Sequence, residues 1–127
     1  MSGQIVMACV TVQRACEKMI VAGAKLAKDI NGELLVLHVS PSGQHMLGYP
    51  VEGEAMEYLY RISSLHDAEM TVLRAEDVVD AIVKFAKKRD VSFILTGAPN
   101  KLSSRNVALE LMNQLPGTIF QTIYADE

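Results

Sequence analysis

The chain has 127 residues, of which 50% are hydrophobic and 21% charged, with a net charge of −3 and no tryptophan. That length predicts one domain over residues 1–127, and that balance excludes a disordered chain, which lacks the apolar content to build a core. The acidic balance and the lack of any basic run exclude a non-specific nucleic-acid binder, and no stretch reaches the roughly 20 apolar residues of a membrane-spanning helix.

The N-terminal "MSGQIVMACV" has neither a charged n-region nor a long apolar segment, so a cytoplasmic protein is expected. Cys9 and Cys16 are then reduced thiols, and without a CxxC spacing they read as packing residues. Residues 5–10, "IVMACV", are an apolar run of strand length. In "RACEKMIVAGAKLAKDI", residues Cys16, Met19, Ile20, Gly23, Ala24, Ala27 and Ile30 recur at helical spacing. Asn31-Gly32 ends that helix, since both tolerate positive φ. Residues 34–39, "LLVLHV", are a second strand, and residues 40–53 a Pro/Gly/Ser-rich loop. This loop is longer than the usual connection of about 2–6 residues, which marks it as a lid, a binding loop or a mobile segment.

Residues 54–67 predict a helix with Met56, Leu59, Tyr60 and Leu65 on one face, and residues 68–73 a short strand. Asp77 caps a helix that runs to Lys88, with Val78, Val79, Ile82, Phe85 and Ala86 inward. Residues 92–95, "SFIL", are a fourth strand. The helix "SSRNVALELMNQL" is opened by Ser103 or Ser104 and closed by Pro116-Gly117, and residues 118–124, "TIFQTIY", are the last strand. Met7, Met19, Met56, Met70 and Met112 read as core filler.

Strands alternating with helices predict an α/β fold: a doubly wound, parallel, five-stranded sheet with helices on both faces. In such a sheet ligands bind beyond the carboxyl ends of the strands, where the strand order reverses. The candidate site is therefore Thr11 after the first strand, Val39 after the second, and Gly97, Asn100, Lys101, Ser103 and Ser104 after the fourth. Pro99-Asn100 suits a type II turn, Ser103 or Ser104 can cap the last helix, and Lys101 and Arg105 add positive charge, so an anion can dock there. A receiver domain is excluded because no carboxylate follows the first strand. A dinucleotide binder and a Walker loop are excluded because GxGxxG and GxxxxGK[ST] are absent. The three histidines, His38, His45 and His66, have no i,i+4 pairing or acidic cluster, so no metal is expected, and His38 reads as a satisfied strand-end side chain.

Two longer stretches carry a family likeness: "IVMACVTVQRACEKMIVAGAKLAKDINGELLVLHV" and "AEDVVDAIVKFAKKRDVSFILTGAP". They resemble the universal stress protein family, in particular its version within bacterial potassium-sensor histidine kinases. The resemblance implies the adenine-nucleotide alpha-hydrolase-like fold and, as the cofactor class, ATP or another adenine nucleotide. ATP-binding members carry an Asp after the first strand and G-x2-G-x9-G-[S/T] after the fourth. Here Thr11 stands at the Asp, Gly97 at the first Gly and Asn100 at the second, so the motif is degenerate. Some kinase-associated members resemble cyclic di-AMP receptors, whose spacing is matched by Thr11 to Gln13, twenty residues, then Leu34 to His38, with only Thr11 keeping a hydroxyl.

The expected function is a non-enzymatic binding or signalling module with weak nucleotide or anion binding at the switch-point cleft. The alternatives are an ATP-binding enzyme, as a slow hydrolase or transferase, and a detached sensor module that partners a histidine kinase. The resemblance and the exposed apolar edge of the last strand together imply a homodimer through that strand.

Overall fold

The computed structural model describes residues 4–10, 16–41, 52–97 and 107–123. Strand and helix alternate throughout: β1 (Ile5–Val10), α1 (Cys16–Asp29), β2 (Glu33–Pro41), α2 (Glu52–Leu65), β3 (Glu69–Ala75), α3 (Val78–Arg89), β4 (Phe93–Gly97), α4 (Val107–Gln114) and β5 (Ile119–Ile123). The five strands form one sheet in the order β3-β2-β1-β4-β5, and every neighbouring pair is parallel.

Alternation of side chains along each strand divides the core into two layers. Val6, Ala8 and Val10 of β1, Leu34 and Val36 of β2, and Leu95 of β4 pack with Met19, Ile20 and Ala27 of α1 and Leu59 and Ile62 of α2. Met7, Leu35, Leu37 and Ile94 point the other way and pack with Val79, Ile82, Val83 and Ala86 of α3 and Leu111 of α4. The central strands are apolar on both faces because both faces are covered, whereas the edge strands β3 and β5 mix exposed and part-buried positions, with Ile123 of β5 reaching the core. The fold class is as the sequence predicts.

Three helices end on one device. Asn31, Asp67 and Asp90 follow α1, α2 and α3 in the left-handed conformation, with φ of 57°, 58° and 55°. The next amide then reaches back to the last turn: Gly32 to Ala27 at 2.7 Å, Ala68 to Ser63 at 2.9 Å and Val91 to Ala86 at 3.0 Å. Gly32 is needed for close approach rather than for positive φ, since a Cβ there would stand 2.2 Å from the Gln4 carbonyl oxygen. At the other end of α3, the Asp77 carboxylate accepts from the Asp80 amide at 3.1 Å, as a capping residue should.

Some expectations change. The helix placed at 54–67 runs Glu52–Leu65, and among its residues 57–65 the buried ones are Leu59, Ile62 and Ser63; Tyr60 and Leu65 are 64% and 73% exposed. Leu59, Ile62 and Ser63 stand at i, i+3 and i+4, and Ser63 is accepted inside because its Oγ donates to the Leu59 carbonyl at 2.7 Å. Met112 also faces solvent, at 39% exposure, while Met7 and Met19 are core. β3 and β4 each extend two residues past their expected ends, to Ala75 and Gly97. β2 reaches Pro41, so the long connection shortens to residues 42–51, which lie outside the described residues, as do Met56's side chain and that of Cys16.

Candidate functional site

β1 leads through α1 to β2 on one side, and β4 lies on its other side, so the strand order reverses between β1 and β4. The loops that leave these two strands must diverge to opposite faces, which opens a crevice at their carboxyl ends. The described rim consists of Cys9 and Val10 on β1, His38 and Val39 on β2, and Thr96 and Gly97 on β4.

The sheet separates these residues chemically. His38 lies on the α1/α2 face beside Val10, its partner in register, and is 5% exposed. Its Nδ1 is 3.0 Å from the Val10 carbonyl oxygen, so this nitrogen carries the proton and ties the end of β2 to the end of β1. Gly97 is on the same face, under the first turns of α1; a Cβ there would be 3.6 Å from Met19 Cε, an ordinary contact. Cys9, Val39 and Thr96 point to the opposite face. Cys9 and Val39 pack against the α3/α4 core. Cys9 retains some surface, yet burial of its thiol pushes the pKa up to about 12 and holds it protonated. The imidazole therefore has the sheet between it and the rim's hydroxyl and thiol, and no nucleophile–base pair forms from these residues.

Thr96 is the residue that the sequence does not single out. It is 7% exposed, and its Oγ1 has no hydrogen-bond partner among the described residues. Its register neighbour on β5 is Thr122, also a hydroxyl residue, yet the two are not bonded. A threonine in a strand is ordinary on propensity alone, so only the structure reveals the missing partner.

Among the expected site residues, Val39 and Gly97 stand at the carboxyl ends of β2 and β4, on opposite sides of β1. Thr11, Asn100, Lys101, Ser103 and Ser104 lie outside the described residues, as does Arg105. Among the described rim residues none is an acid, and among the described residues no group of three or more His, Cys, Asp and Glu is placed to hold a metal ion. Also among them, no helix is long and apolar enough to cross a membrane.

No family model and no curated protein sequence matches the chain. Solved structures do. A universal stress protein in complex with cAMP superposes with a TM-score of 0.72 at 12% identity, over 99% of this chain and 100% of that one. A universal stress protein from Archaeoglobus fulgidus gives 0.68 at 22% identity, covering 99% and 96%. Another from that organism, in complex with dAMP, gives 0.64 at 21%, covering 97% of each. What the chain shares with these proteins is the fold: a five-stranded parallel sheet wound on both faces, end to end.

Proposed function

We propose that the chain is a universal stress protein that works as a cytoplasmic binding module, taking an adenine nucleotide or related anion weakly at the crevice between β1 and β4. The observation that carries this reading is the order reversal at β1 and β4, on a fold shared with proteins solved in complex with cAMP and dAMP. Thr11, Val39, Gly97, Asn100, Lys101, Ser103 and Ser104 are its proposed contacts. The binding reading is preferred to an ATP hydrolase or transferase, because such chemistry needs an acid to hold Mg²⁺ and a positioned base, and the described rim supplies no acid. A sensor module that partners a histidine kinase is compatible with the same crevice, through the sequence likeness in residues 5–39 and 75–99.

A thermal-shift panel of ATP, AMP and cyclic di-AMP tests the reading, together with native mass spectrometry of freshly purified protein. A ligand at 100 times its Kd stabilises by about 2.7 kcal/mol, several degrees for a domain of this size. A shift with one or more of the three is expected. A flat panel and a ligand-free mass would remove nucleotide binding.

A further inference from the structure

We propose that the valley between α1 and α2 is a docking surface for a second protein, and that its occupant is an acidic amphipathic helix. This goes beyond the nucleotide reading, because the valley lies on the outer side of the two helices and takes no residue from the crevice.

Both helices pack on the same face of the sheet, and both return between parallel strands, so they run side by side in the same direction. The Tyr58 hydroxyl donates to Glu17 Oε1 at 2.6 Å, and this bond sets their register. Along α1, the residues i+4, i+8 and i+11 from Glu17 are Val21, Lys25 and Lys28. Along α2, the residues i+3 and i+7 from Tyr58 are Arg61 and Leu65. These intervals return to one side of a helix, so the two stripes face one another below the Glu17–Tyr58 bond. All of these residues are exposed. Val21, Tyr58 and Leu65 stand 44%, 38% and 73% in water. A single exposed apolar side chain is ordinary, whereas three along one valley form a patch that a partner can cover.

Charge decides what kind of partner. The chain carries a net −3, yet the charges on the two stripes below that bond are all cationic: Lys25, Lys28 and Arg61. None of the three makes an ion pair with the described residues. Asp29 and Glu57 stand four residues from Lys25 and Arg61, within helical reach, and pair with neither. Glu17, the acid at the head of the valley, is taken by Tyr58. A second copy docked through the same valley would set cation against cation, which costs affinity. A bilayer is flat and would touch only the ridges of two adjacent helices. An acidic amphipathic helix fits both features: its apolar i, i+3 and i+7 side chains enter the valley, and its carboxylates meet the cations. The acidic balance of the rest of the chain repels such a helix and so confines it to this face.

Amide NMR titration of the full nitrogen-15-labelled chain tests the assignment with a synthetic helix of about 20 residues, long enough to fold, with Leu at i, i+3 and i+7 and Glu on the flanks. The control is the same peptide with Lys in place of Glu. The acidic peptide should move resonances of α1 and α2 and bind more weakly as salt rises. Arg61→Gln should weaken it about threefold, as loss of one exposed ion pair does, and Leu65→Ser about fivefold. Both side chains are in water, so both variants should melt as the wild type does. No binding up to about 1 mM overturns the proposal. Equal binding of the Lys peptide, shifts gathered away from α1 and α2, or full affinity in both variants also overturns it. If phosphatidylserine vesicles perturb these resonances and the acidic peptide does not, the valley belongs to a lipid surface. If the chain mass in light scattering falls on Leu65→Ser, the valley belongs to a second copy. Either result overturns the acidic helix, and neither touches the nucleotide reading.

Discussion

Two glycines that the chain pattern treats alike differ in what they require. At Gly32 a Cβ would sit 2.2 Å from the Gln4 carbonyl oxygen, the same atom that accepts from the Glu33 amide at 2.9 Å. The clash is with backbone at the root of β1, so no side chain can move to relieve it. At Gly97 the nearest atom to a Cβ among the described residues is the flexible end of Met19, at contact distance. Gly32→Ala should therefore destabilise by about 2–3 kcal/mol, lowering the melting temperature by roughly 10 °C. Gly97→Ala should cost less than about 1 kcal/mol. Thermal unfolding of the two variants side by side checks the contrast. A large loss at Gly97 would mean that its backbone, not its surroundings, demands glycine.

At the scale of the elements, the last turn of α3 is fastened to the start of β3. Arg89 makes two hydrogen bonds to the Glu69 carboxylate, at 3.1 and 3.2 Å, while its guanidinium lies 5.8 Å from the centre of the Phe85 ring. The Arg89 guanidinium holds the Glu69 carboxyl below its ordinary value of 4.5, chiefly through these bonds. A depressed acid stabilises the fold above its unfolded pKa, and that contribution disappears as pH falls through the folded value. The pair thus acts at neutral pH and is lost as pH falls from the ordinary carboxyl value of 4.5 through the lowered folded one. With both partners partly in solvent, the contribution is about 0.5 kcal/mol. Glu69→Gln should lower stability by that amount at pH 7 and by less as pH falls toward 3, as read by urea unfolding at both values. An equal loss at both would place the effect in packing. The elements themselves were legible because apolar runs and i, i+3, i+4 spacing follow directly from burial. Where the pattern misled, in α2, Tyr60 and Leu65 looked like inward residues by hydrophobicity. Leu59 is inward as expected, and the stripe continues through Ile62 rather than Tyr60 and Leu65, with Ser63 admitted through its bond to Leu59. The rim of the crevice was legible at Val39 and Gly97, which topology places. Thr96 was not, because a missing hydrogen bond leaves no trace in residue type.

At the scale of the molecule, the sheet has two edges of unlike character. β3 carries Glu69 and Arg74 and is braced by Arg89 from α3, and charge along an edge discourages pairing with another chain. β5 has no charged residue in IFQTI, and Ile119 is 59% exposed. A sheet that blunts one edge and leaves the other neutral directs association to the second. The proposed homodimer is therefore expected to form through β5. Size-exclusion chromatography with light scattering at micromolar concentration should give twice the 13.9 kDa chain mass. Ile119→Lys should return it to the chain mass with little change in secondary structure, since the side chain already faces solvent. Val72→Lys on β3, at a position 46% exposed in the monomer, should leave the dimer intact. A wild type that elutes only as monomer would remove the dimer. Dissociation by Val72→Lys rather than Ile119→Lys would move the interface to the opposite edge. The crevice lies between β1 and β4, with β4 standing between it and β5. Nucleotide binding is therefore expected to survive Ile119→Lys, and affinity measured on that variant separates the two proposals.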